Sequence, residues 1–218
     1  MSDFPKDIYT EPHPVDVDTL KNLGPLTAMA GIWKGERGLD VKPKAEGPKK
    51  QVYVERIELQ PIDPQTNGPQ LLYGLRYHVH ITKPDQVKTY HDQVGYWLWE
   101  PATQTVIHTL TIPRGQVVMA GGTVAPNAKE FELVARQGDP YYGISSIPFL
   151  EHAFKTVEFR IKVRINDDGT WGYSEDTVMQ IQGLSEPFHH TDDNILHKVA
   201  EPTPNPLALA AQTSGDAI

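Results

Sequence analysis

Gly31-Ile32-Trp33-Lys34-Gly35-Glu36-Arg37-Gly38 is the stretch on which the reading of the fold turns. Two short glycine-bracketed steps flank a tryptophan. Glycine inside a strand lets a second backbone approach closely, or lets the strand bend at a barrel corner. Trp33 carries a large ring that needs burial, and at the start of a closed sheet it would plug one end. Alone, the octapeptide suits an ordinary bulged strand with a core tryptophan equally well, so the segments around it decide.

Working outward, residues 51–59, 71–81, 89–99, 105–112, 116–124, 130–136, 155–165, 171–182 and 194–199 have strand character. Leu71, Tyr73, Leu75, Tyr77, Val79 and Ile81 share one face, with Arg76, His78 and His80 on the other. Val157, Phe159, Ile161, Val163 and Ile165 likewise oppose Glu158, Arg160, Lys162 and Arg164. A period of two marks a half-buried strand. Asn166-Asp167-Asp168-Gly169 predicts a tight hairpin turn. Residues 41–50 and 61–69 read as loops, 138–146 as turns, and 148–153 as a short helix or none. Asp18 would cap one or two helical turns that stop near Gly24-Pro25.

About ten short strands with little helix predict an all-β fold, an antiparallel up-and-down β-barrel of about ten strands with a short N-terminal helical turn. A sandwich is the competing arrangement, because periodicity alone does not close a sheet. A barrel of ~10 strands is wider than side chains need fill, so a ligand cavity is expected. The expected domain plan is an extended arm over 1–18, the barrel over 19–200 and a disordered tail over 201–218.

The chain has 218 residues, a net charge of −8 and no cysteine. Disulfides, thiolate zinc sites and cysteine nucleophiles are thereby excluded, and a cytoplasmic location is expected. No basic stripe interleaved with aromatics points to nucleic acid. No apolar run approaches the ~20 residues of a membrane span. Met1-Ser2-Asp3-Phe4-Pro5 lacks the pattern of a signal peptide. Without a Gly-x-Ser-x-Gly elbow, phosphate loop or His-Glu-x-x-His segment, hydrolase and kinase readings have no support. Glu175 and Asp176 are adjacent and face opposite ways in a strand, so they do not form an acid–base pair. His78 and His80 have the spacing of a metal-binding pair but read as solvated surface residues. Thr109 and Thr111 share one face of their strand and read as ordinary β-formers rather than cavity groups.

Three stretches together resemble the nitrobindin family of heme-binding β-barrels, related in shape to fatty-acid-binding proteins. Residues 23–38 are similar to that family's Gly-x-Trp-x-Gly-x-Gly opening: Gly31, Trp33 and Gly35 match, while Arg37 stands at the last glycine and Gly38 comes one later. Tyr90-His91-Asp92-Gln93-Val94-Gly95-Tyr96 is similar to an acid-containing segment ending in Gly-Tyr, with His91 in register. Ala153-Phe154-Lys155 is similar to the step opening a long late strand, and Pro187-Phe188-His189-His190 follows near the C-terminus. The resemblance covers residues 23–199.

It implies a barrel holding heme b, with a histidine of the last strand as axial iron ligand and a lysine at the heme edge. His190 is nearest the axial position and His189 is next; a slip of one residue reverses the facing. Thr191-Asp192-Asp193-Asn194 is more polar than the family's usual segment, and Asp192 or Asp193 would orient the ring. Lys155 shares parity with the Val157 row and would reach the rim to meet a propionate or a fatty-acid carboxylate; otherwise it snorkels at the surface. His91 would line the distal side, and Tyr90 would face away. The implied activity is binding of nitric oxide, or isomerisation of peroxynitrite to nitrate by a heme-dependent enzyme. The competing expectation is a non-enzymatic carrier of a fatty acid or other small apolar ligand, without heme. A histidine pointing into the mouth separates the two. The expected partner is a small apolar or heme-type ligand, and the proline-rich ends are compatible with a homodimer.

Overall fold

The computed structural model describes residues 4–215. Ten long strands make the barrel: β1 (Gly31–Lys42), β2 (Lys49–Pro61), β4 (Gln70–Thr82), β5 (Thr89–Glu100), β6 (Thr105–Ile112), β7 (Gln116–Thr123), β8 (Glu130–Arg136), β10 (Phe154–Ile165), β11 (Trp171–Ile181) and β12 (Phe188–Ala200). Two three-residue strands, β3 (Gln65–Asn67) and β9 (Ile144–Ser146), pair with β4 and β7. The spatial order runs β2-β1-β12-β11-β10-β8-β7-β6-β5-β4, and pairing of β2 with β4 closes the sheet. Every barrel strand lies antiparallel beside its neighbour in the chain, with β1 against β12. The fold is therefore the closed all-β barrel that the alternating pattern predicts, and the sandwich does not occur.

One end is plugged. Helix α1 (Thr19–Asn22) leads into a 3₁₀ turn over Gly24–Met29, which puts Leu23, Leu26 and Met29 out of reach of water. The Trp33 indole donates to the Met29 carbonyl at 2.7 Å and meets Trp171 edge-on at 6.1 Å. Burying about 200 Å² of such a ring contributes on the order of 5 kcal/mol before entropic losses. Asp18 precedes α1 without a side-chain cap.

β-Bulges in β1, β5 and β10 decide which side chains face inward at the site. A bulge inserts one unpaired residue and reverses the facing of the residues beyond it. In β1, Gly35 pairs with Glu55 and Gly38 with Tyr53, so three steps on β1 match two on β2. Trp33 and Gly35 face in before the step, Gly38 and Asp40 after it, and Glu36 and Arg37 are left exposed. In β5, Tyr90 is the extra residue between the pairs Ile81–His91 and Thr82–Thr89. In β10, Val157 is the extra residue between Thr156–Met179 and Glu158–Val178.

Several boundaries differ from the sequence expectation. The segment 61–69 contains β3, and 138–146 contains β9. Strand β12 starts at Phe188 rather than 194, because its polar residues alternate between cavity and solvent instead of forming a turn. The tail expected to be disordered carries helix α3 (Pro206–Gly215). Asn205, 1% exposed, ties it down by accepting from the Thr19 amide at 3.2 Å and donating to the Val17 carbonyl and Asp63 carboxylate at 2.8 Å. Residues 1–3 of the expected arm and 216–218 of the tail lie outside the described residues. No helix among the described residues is long and apolar enough to cross a membrane.

Candidate functional site

The barrel encloses a cavity of about 430 Å³, within the range of small-molecule sites. Its mouth lies opposite the Trp33 plug, beside helix α2 (Pro148–Ala153), which contributes Phe149 and Leu150. Here β7 and β8 share only the pair Gly121–Val134, and β9 takes over pairing with the start of β7.

One wall is apolar and aromatic, formed by Val79, Ile81, Trp97, Leu110, Phe159 and Ile161. His108 lies within it, stacked on Trp97 at 3.9 Å. The Gln93 amide donates to the Tyr77 hydroxyl at 2.7 Å, leaving that hydroxyl to donate to His108 Nε2 at 2.8 Å. Burial drives the His108 imidazole down to about 3, so it is neutral. Residues Leu110 and Ile112 of β6 line the cavity with His108, whereas Thr109 and Thr111 do not.

The facing wall, from β1, β2, β11 and β12, is polar. Asp40, Glu55, Glu175 and Asp192 all line the cavity, with Tyr53 and Tyr173 among them. Glu175 and Asp192 are direct cross-strand partners. Burial, reinforced by neighbouring acids, pushes the Asp192 carboxyl up to about 7 and the Glu175 carboxyl well above its ordinary value. The Glu55 Oε2 atom accepts from the Tyr173 hydroxyl at 2.9 Å and from the Asn194 amide at 2.8 Å.

His190 faces this cavity, and its Nε2 donates to Asp40 Oδ1 at 2.8 Å, with Asp192 Oδ2 at 3.5 Å. Burial, the largest effect on the ring, favours the neutral form, but the Asp40 bond and the Asp192 and Asp40 charges together raise its pKa. Asp40 also accepts from the Tyr90 hydroxyl, which in turn accepts from Lys42. Although burial opposes it, these bonds hold the Asp40 carboxyl below its ordinary value. His189 points out and pairs with Asp176 at 2.7 Å. Asp40, His190 and Asp192 place one donor atom each within 4.8 Å of one another, a spacing already explained by the hydrogen bond between the first two.

His91 lines the cavity near the mouth, and burial, its largest influence, lowers its pKa. It contacts Gln93 Oε1 at 3.2 Å. Tyr90 was expected to face away; as the bulge residue it reaches Asp40 and lines the mouth. Lys155 is corrected the other way. The Val157 bulge breaks its parity with the apolar row, so Phe154 and Thr156 line the cavity and Lys155 does not. The cations at the mouth are instead Lys42 and Arg114. Glu55, Glu175 and His108 were not read as site residues. Their signal was a polar residue standing in the inward-facing row of its strand, as Glu55 does between Tyr53 and Ile57.

A family model described as a THAP4-like, heme-binding beta-barrel domain matches residues 22–198. No curated protein matches the chain. Among solved structures, the crystal structure of Rv2717c from M. tuberculosis is similar, with a TM-score of 0.56 and 22% identity over 84% of this chain and 99% of that one. At that identity the likeness speaks for the fold alone.

Proposed function

We propose that the cavity binds heme through His190, from the premise that this chain belongs to the THAP4-like heme-binding β-barrel domain family, the nitrobindins. The observation that carries the proposal is the state of the His190 ring. Its Nε2 proton is committed to the Asp40 carboxylate, and Nδ1 has no hydrogen-bond partner among the described residues. Metal-ligating imidazoles characteristically give their second nitrogen to a carboxylate, which fixes ring and tautomer. The apolar wall suits a porphyrin face, and Lys42 and Arg114 suit its propionates at the mouth. These residues fit the group.

Heme b bound here would supply the chemistry, either binding of nitric oxide or isomerisation of peroxynitrite to nitrate. The chain's part is to hold and orient. Asp40 fixes the His190 ring, Tyr90 and Lys42 fix Asp40, and the apolar wall with Phe149 restricts water. His91, near the mouth, is placed to line the side from which a small anion enters.

A hemin titration followed by absorption tests this. A saturable Soret band is expected for the wild type and for His189→Ala, and its loss for His190→Ala. Equal bands in wild type and His190→Ala would overturn the assignment. The carrier reading in its fatty-acid form finds less support, because Lys155 faces away and the polar wall of Glu55, Glu175 and Asp192 presents acids, not cations, to a carboxylate head.

A further inference from the structure

The pair Glu55 and Glu175 has no role in the heme reading, and its state calls for a ligand of its own. Glu55 is 2% exposed and lines the cavity. Tyr173 and Asn194 both donate to its Oε2, which locks the carboxyl in place, while Oε1 has no hydrogen-bond partner among the described residues. Glu175 lines the same wall and makes no hydrogen bond or ion pair with any described residue. The charged groups acting on it are Asp192, Glu55 and Asp176, all acids.

The available cations do not answer these carboxyls. Lys42 is engaged with Tyr90 and Asp40, the latter at 3.6 Å, and Arg114 donates to the Tyr90 carbonyl at 3.2 Å. The His190 proton goes to Asp40. An enclosed carboxyl without a partner takes up a proton in place of its charge, and a bound cation with N–H donors stabilises the charged form instead. Opposite this wall stands the aromatic and aliphatic surface of Trp97, Phe159 and Ile161, which offers contact to an apolar body. Tyr53 and Trp171 also belong to the lining.

We propose that Glu55 and Glu175 form a recognition site for the ammonium group of a small amphipathic amine whose apolar body lies against the Trp97–Phe159 wall. The inference does not rest on the heme reading, since it uses neither His190 nor the mouth cations. It inverts the polarity expected of a fatty-acid-type barrel, selecting a positive head group in place of a negative one.

The test compares octylamine with octanoate, matched flexible chains of opposite charge, by isothermal titration calorimetry at pH 8.5. Octylamine is expected to bind at least about tenfold more tightly, from a single favourable charge contact on the order of RT ln 10. Glu55→Gln keeps an acceptor for Tyr173 and Asn194, and Glu175→Gln disturbs no hydrogen bond, so both variants should melt as cooperatively as the wild type. Each should weaken octylamine about tenfold and leave octanoate unchanged or improved. His190→Ala should hold octylamine as tightly as the wild type, which separates this site from the proposed iron ligand. Octanoate binding as tightly as octylamine, binding of neither chain, or glutamine variants that hold octylamine as well as the wild type would overturn the proposal.

Discussion

Burial holds the Glu55 carboxyl up at about 7, against an ordinary 4.5, even though Asn194 and Tyr173 donate to it. A raised carboxyl pKa means that the folded state binds the proton more tightly than the unfolded chain. The resulting stability is fully present below about 4.5 and is lost as pH rises through about 7. The size is on the order of 3 kcal/mol at pH 8. Thermal melts of wild type and Glu55→Gln should therefore nearly coincide at pH 5, and the variant should melt higher at pH 8. A constant difference between the two pH values would show that Glu55 is already ionised in the folded protein. This residue was legible in principle. Tyr53, Glu55, Ile57 and Leu59 share one face, and a carboxyl in an apolar row marks a cavity. His108 stands in the same way between Val106 and Leu110.

Strands were legible at the level of the element because a period of two survives in β4 and β10. Bulges were not, since an extra residue changes facing without changing composition. The Val157 bulge turned Lys155 outward, and the Tyr90 bulge brought an apparently outward tyrosine to Asp40. The β1 bulge did leave a mark: the final glycine of the opening motif comes one position late, at Gly38. That glycine pairs with Tyr53, and an added Cβ would overlap the Tyr53 ring. Gly38→Ala should displace Tyr53, break its 2.9 Å bond to Tyr173 and destabilise by about 1–3 kcal/mol in urea denaturation. An unchanged midpoint would mean that β1 shifts register freely, and the inward facing of Asp40 would lose its support.

For the whole molecule, closure of the sheet follows from strand count and short connections, and both were readable. The plug at one end was readable from Trp33. The strap at the C-terminus was not, because the apolar residues of 206–215 run consecutively from Leu207 to Ala211 and do not recur at helical spacing; Asn205 and the Asp63 carboxylate, which accepts from the Leu207 amide at 3.0 Å, anchor it through polar contacts. Asn205→Ala leaves the Thr19 amide and Val17 carbonyl without partners and should lower stability by about 2–3 kcal/mol. A melting temperature equal to the wild type's would show that the strap is dispensable to the barrel. At the same scale, the cavity brings His190 together with Asp40 across 150 positions of chain, a meeting that only the closure of β1 against β12 produces. The most direct test of heme ligation is chemical rescue. Hemin bound to His190→Gly should lack the wild-type Soret band, and added imidazole should restore it while leaving the wild-type spectrum unchanged. A His190→Gly spectrum already equal to the wild type's, with imidazole acting on both alike, would contradict the assignment of His190 as the iron ligand.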